Sequence, residues 1–338
     1  MGEHIPRQTL CQGMWVAGWD TYTRSVIVVE DELLRWVEEF GPAPLEEVLA
    51  VSSSVIVTTL PGTNQFVAYV RRINDEVADL LDQPRLVGVP VHLWFPETLD
   101  RIDEVTAAEI IITTAHKLDI APLYRLGPAV KSLALNGTAC ARGALRLAAL
   151  PHLSEIAVSW EHVDVGEGLP SQLRRLTVLE FSATRIDAIP ASAQLSGLAL
   201  YGARKMGDLG GVERFPALTS LEVYGGYNLT DVGAVVELPR LAMLEFEACK
   251  KLGRLDSIGR CRGLTRLRVG ESGSIDSLAP LRDHAALEQL WAWGSTRIVD
   301  DDLSPLLTIP RLRELFLASR RSYRPSVGEV KEALGIAE

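Results

Sequence analysis

The chain has 338 residues, with 34 Lys plus Arg against 44 Asp plus Glu, a net charge of −10 that argues against a general nucleic-acid binder, because phosphate neutralisation needs surplus positive charge. At 47% hydrophobic and 23% charged, the composition is that of a folded globular protein and excludes disorder as the main state. No stretch reaches the roughly 18 consecutive apolar residues of a membrane span, and MGEHIPRQTLCQGMW lacks both the charged and the apolar region of a secretion signal, so the expectation is a cytoplasmic protein with no membrane partner. Pro6 stands where a myristoylation signal after Gly2 requires Ser or Thr. The four cysteines (Cys11, Cys140, Cys249, Cys261) form no CxxC pair, as expected for reduced thiols.

In chain order, Ser25 to Val29 reads as a strand and Asp31 to Phe40 as a helix ended by Gly41-Pro42. Val55 to Leu60 and Gln65 to Val70 read as a hairpin across Pro61-Gly-Thr-Asn64. A helix starting near Asn74 and a strand around Val89 to Phe95 complete a small α+β domain over residues 1–106. That domain holds 7 basic and 17 acidic side chains and the rest of the chain 27 of each, so the whole net charge lies there. Such charge runs are usually solvated faces, with an acidic docking surface as the alternative. Trp15, Trp19, Trp36 and Trp94 fall in this segment without a recognisable catalytic set.

From residue 107 a repeat takes over. Leu218-Thr-Ser-Leu221-Glu-Val223 recurs as Leu241-Ala-Met-Leu244-Glu-Phe246 and as Leu264-Thr-Arg-Leu267-Arg-Val269, each 23 residues on. The same spacing reaches Leu195/Leu198/Leu200, Leu153/Ile156/Val158, Val130/Leu133/Leu135 and a weaker Ala107/Ile110/Ile112, and continues to Leu287/Leu290 and Leu312/Leu315/Leu317. A unit placed at Leu176/Leu179/Phe181 is shortened to 19 residues and the one at Leu287 lengthened to 25, which makes ten expected strands over 107–318. Ser326-Val-Gly-Glu329 then has capping-box spacing ahead of a closing helix within 319–338.

This L-x-x-L-x-L unit, followed by a second apolar stretch such as Leu229-x-x-Val232 or Ile275-x-x-Leu278, resembles the leucine-rich repeat family, with the bacterial internalin-like class nearest. The resemblance implies an α/β solenoid, a horseshoe with a parallel sheet on its concave side, in which each repeat buries its apolar positions only by stacking on its neighbours. It also implies an Asn ladder in the turn after each strand, but that column reads Thr138, Glu161, Thr184, Ala203, Gly226, Cys249, Ser272, Ser295, so backbone groups there need other partners.

The sequence carries no recognisable catalytic constellation. No phosphate loop, dinucleotide fingerprint or H-E-x-x-H occurs, and Gly270-Glu-Ser-Gly-Ser misses the G-x-S-x-G spacing by one residue. His152 and His162 near Glu161 and Asp164 read as loop histidines, Asp300-Asp301-Asp302 as a turn, and Cys249 as a small buried residue. No catalytic residue, metal ligand or cofactor is expected.

What remains is the exposed strand face. The residue between the second and third apolar positions runs Ile111, Ala134, Ala157, Glu180, Ala199, Glu222, Glu245, Arg268, Trp291, Phe316, and two residues further on Thr113, Asn136, Ser159, Ser182, Tyr201, Tyr224, Glu247, Gly270, Trp293, Ala318. Early repeats present small groups. The late ones gather Tyr201, Tyr224, Trp291, Trp293 and Phe316 beside Glu222, Glu245, Glu247, Arg266 and Arg268, the residue types that dominate interface energies. The alternative is that the aromatics pack on one another, with Trp291 or Trp293 turning inward to fill the gap left by Ala292. The expectation is a non-enzymatic, bacterial, protein-binding module whose partner has a basic surface, of the inhibitor or immunity type. The competing readings are an activity in residues 1–106 with the repeats selecting the substrate, or a scaffold subunit of a larger assembly.

Overall fold

The computed structural model describes residues 50–51, 55–59, 66–70, 73–81, 90–94, 96–114, 117–137, 141–142 and 144–336. The expected strand at Ser25–Val29, the helix at Asp31–Phe40 and three of the N-terminal tryptophans lie outside them. Contacts divide the chain into two compact units, Met1–Leu145 with His152–His162, and Arg146–Pro151 with Val163–Glu338.

In the first unit, β1 (Ala50–Val51), β2 (Val55–Thr59) and β3 (Phe66–Val70) pair antiparallel in succession, so the hairpin forms where alternation placed it. Helix α1 (Asp75–Leu81) starts after Asn74, whose Oδ1 accepts from the Val77 N–H at 2.9 Å. Strand β4 (Val91–Trp94) then lies parallel to both β3 and β5 (Glu109–Thr113), and β6 (Ser132–Asn136) and β7 (Glu155–Ser159) extend the parallel run. Val91 and Leu93 stand opposite Ile110 and Ile112 and are buried like them. They carry the parallel pairing one strand beyond the first strand of the expected array.

The second unit carries β8 (Arg175–Leu179), β9 (Gly197–Tyr201), β10 (Ser220–Tyr224), β11 (Met243–Glu247), β12 (Arg266–Gly270), β13 (Gln289–Trp293) and β14 (Glu314–Leu317), each parallel to the next. One register runs through it, Leu198 opposite Leu221, then Leu244, Leu267, Leu290 and Leu315. All six are buried, with Val223, Phe246 and Val269 beside them. Short 3-10 turns close each coil behind the strands, set by aspartates: Oδ1 of Asp208, Asp231 and Asp302 accepts from the N–H of Gly210, Gly233 and Ser304 at 2.7–2.8 Å. This is a leucine-rich repeat solenoid. At its end α2 (Val327–Leu334) has the expected capping box, Ser326 Oγ accepting from Glu329 N–H and Glu329 Oε2 from Ser326 N–H.

One repeat differs from the expected frame. Leu176 stands opposite Leu198 and Val178 opposite Leu200, so the unit is Leu173/Leu176/Val178 and not Leu176/Leu179/Phe181. Two overlapping L-x-x-L-x-apolar frames are present in the sequence, and the pairing with β9 takes the first of them. The residue after the strand is left-handed in the next five repeats (Gly202, Gly225, Ala248, Glu271, Gly294), and Glu180, at φ 49°, takes that position. Thr177 and Leu179 therefore occupy the face positions assigned to Glu180 and Ser182, and Phe181 is buried in the turn.

The missing Asn ladder is replaced by hydroxyls in the late repeats. Cys249 N–H donates to Ser272 Oγ at 3.2 Å and Ser272 N–H to Thr296 Oγ1 at 3.1 Å. Ser272 Oγ lies 2.8 Å from Gly270 O and Thr296 Oγ1 donates to Val269 O at 3.0 Å. An extra residue after β13 moves this role from Ser295 to Thr296.

Leu244→Ala is expected to cost roughly 2–5 kcal/mol as a cavity in a continuous core, and Ser272→Ala about 1–3 kcal/mol by orphaning the Cys249 N–H; urea denaturation measures both. In the first unit, burial first and the Glu155 carboxylate second push Glu109 up to about 7. Because its folded value exceeds its unfolded one, ionisation of Glu109 removes stability as pH rises from the usual carboxyl range through 7. Glu109→Gln should accordingly raise the melting temperature at pH 8 and leave it unchanged at pH 4, by calorimetry.

Candidate functional site

All ten candidate residues lie in the second unit, on the strand face opposite its core. The alternation that buries Leu221 and Val223 turns Ser220, Glu222 and Tyr224 outward, and common register sets equivalent residues of adjacent strands side by side. Two rows result. The inner row runs Ala199, Glu222, Glu245, Arg268, Trp291, Phe316, and the outer row Tyr201, Tyr224, Glu247, Gly270, Trp293.

The rows are cross-linked. Tyr201 and Tyr224 stack with ring centroids 4.1 Å apart and planes 6° from parallel. Tyr224 Oη lies 3.0 Å from Glu245 Oε1 and 3.3 Å from Glu222 Oε2, so one phenol proton serves two carboxylates, while Ser220 Oγ donates to Glu222 Oε1 at 3.1 Å. Arg268 pairs with Glu245 Oε2 at 3.3 Å, donates from Nε to Gln289 Oε1 at 3.1 Å and lies 4.4 Å over the Trp291 ring. Gln289 Nε2 in turn donates to Glu314, and Trp291 meets Phe316 at 6.4 Å with planes tilted by 59°.

This arrangement sorts the candidates. Glu222 and Glu245 are only 8% and 6% exposed, so they organise the face from beneath. Burial, then the charge of Glu245, raises Glu222 above the usual carboxyl range. Burial also holds both phenols protonated well beyond their ordinary value. Phe316, in contrast, is 56% exposed, Arg266 is exposed at the start of β12, and Tyr201, Tyr224, Glu247, Trp291 and Trp293 are half-buried. Neither tryptophan turns inward: Ala292 alone faces the core, and the Trp293 indole lies over Gly270, where an added Cβ would meet it at 2.1 Å.

Three participants escaped the sequence reading. Ser220, Gln289 and Glu314 belong with Arg266 to a third column immediately before the second leucine, and the same two-residue alternation points to them. The early face of the first unit carries Ile111, Ala134 and Ala157, all buried, with Asn136 and Ser159, whose Oδ1 and Oγ are buried without a partner.

Elsewhere, Cys249 is buried and its thiol pushed up to about 12 by that burial, unsuited to nucleophilic chemistry. His162 sits 3.4 Å from Glu161, and the Asp300–Asp302 carboxylates are engaged in turn bonds. Among the described residues no group of three or more His, Cys, Asp and Glu side chains could hold a metal ion, and no helix is long and apolar enough to cross a membrane.

No family model and no curated protein matches the chain. Among solved structures it is similar to an internalin of Listeria monocytogenes, at 17% identity over 79% of this chain and 85% of that one, with a TM-score of 0.45. A leucine-rich repeat protein of Leptospira interrogans is similar at 14% identity over 73% of this chain and 82% of that one, with a TM-score of 0.31.

Breaking the inner row has a defined cost. Arg268→Ala leaves Glu245 buried and unpaired and is expected to destabilise by about 2–4 kcal/mol. Adding Glu245→Gln should restore much of that loss in urea denaturation, because the uncompensated charge is then gone.

Proposed function

We propose that the chain is a non-enzymatic module that binds another protein through the strand face from Tyr201 to Phe316. The observation that carries this is the stacked and hydrogen-bonded lattice from Tyr201 through Arg268 to Trp291, ending in a phenylalanine 56% exposed. Aromatic and guanidinium groups already held in place lose little freedom on association, so their contact energy goes into affinity. The finer reading is an inhibitor or immunity protein in a bacterial cytoplasm, covering a basic surface of its partner. The half-buried Glu247 and the free, buried Cys249 and Cys261 support that setting.

A photo-crosslinking residue placed at Phe316 should capture one discrete protein from the native host, and the same residue at Val236, exposed on a 3-10 turn, should not. With that protein in hand, Trp293→Ala should weaken the complex by about 2 kcal/mol or more while melting temperature changes less, and Tyr224→Ala, which also strips a donor from two buried carboxylates, should weaken it as much when measured on the folded fraction. Rising salt should slow association with a basic partner. Affinity unchanged on the folded fraction would make the aromatics packing elements and end this reading.

A further inference from the structure

The two face rows repeat one arrangement with one member missing. In the inner row Glu245 of β11, Arg268 of β12 and Trp291 of β13 stand in register, and the guanidinium is both paired with the acid and laid over the indole. Two residues on, the outer row places Glu247, Gly270 and Trp293 on the same three strands. Acid and indole are repeated, but the position of the cation is a glycine. Among the described residues the Glu247 carboxylate has no hydrogen bond or ion pair, whereas those of Glu222, Glu245 and Glu271 all have partners.

Glu247 stands in register between Tyr224 on one neighbouring strand and Gly270, covered by the Trp293 ring, on the other. Tyr201 and Tyr224 are register partners on adjacent strands, and their centroid separation of 4.1 Å with nearly parallel planes is shorter than the strand spacing of about 4.8 Å, so the rings stack along the strand-to-strand direction. The second face of Tyr224 is thereby turned toward the strand of Glu247. On the other side the Trp293 indole lies over Gly270, too close to a Cβ there for the chain to supply its own cation without displacing the ring.

We propose that this slot takes an arginine side chain of the partner protein, its guanidinium paired with Glu247 and stacked between Tyr224 and Trp293. The inference rests on the reading of this face as the binding surface. A planar, weakly hydrated cation suits an acid flanked by rings better than a compact ammonium does. Burial, then repulsion from Glu245 and Glu271, raises Glu247 above the usual carboxyl range, and a bound cation relieves that repulsion.

The test uses the full chain carrying fluorinated tryptophan, with the Trp293 resonance assigned through Trp293→Phe, titrated with acetyl-Gly-Arg-Gly-amide. A saturable shift of that resonance in the millimolar range is expected. It should weaken by about tenfold or more with citrulline in place of arginine or with Glu247→Gln, whose melting temperature at neutral pH should be no lower than the parent's. No saturable shift, equal binding of the citrulline or lysine peptide, or full binding by Glu247→Gln overturns the assignment. If Phe316 still crosslinks its partner in that event, only the arginine slot falls; if that crosslink also fails, the face is not the binding surface.

Discussion

Every feature of the second unit depends on one constraint, the common register of its parallel strands. Leu221, Leu244, Leu267 and Leu290 stand directly opposite one another, so each repeat completes the burial of the next and none has a core alone. Period-two alternation makes the outer face equally regular. A one-residue slip of any strand would carry leucines to the face and charges to the core, and it is excluded by the same energy that forms the core.

Because register fixes neighbours, chemistry on the face is decided by columns. Glu222 and Glu245 fall side by side, a repulsive placement for two carboxylates, and Tyr224, Ser220 and Arg268 offset it from three directions. The result is a rigid lower layer of acids beneath a more exposed layer of rings. Glu247 is the exception, since the residue that would pair with it is Gly270. The same principle operates in the turns, where Ser272 and Thr296 bond to the backbone of the neighbouring coil in place of an asparagine.

Departures from the repeat show where local pattern ceases to decide. The segment from Leu173 to Phe181 satisfies two frames, and pairing with β9 takes the first, which leaves Glu180 left-handed after the strand. The strand Val91–Trp94, expected as part of a separate α+β domain, joins the parallel run through the pairing of Val91 and Leu93 with β5.

By itself the sequence determined the repeat, the strand core, the closing helix and the columns from which the face is built, since burial periodicity is written directly in the spacing of leucines. Tertiary structure decided which of those face residues are available. Columns say that Tyr224, Glu222 and Glu245 are adjacent, but not that one phenol proton serves both acids, nor that those acids are buried beneath the ring. They place Arg268 beside Trp291 and Gly270 beside Trp293, but not that one cation is already used and that an indole covers the glycine. Those outcomes turn on side-chain direction and close approach between residues 21 to 25 positions apart, distances at which only the folded chain brings atoms into contact.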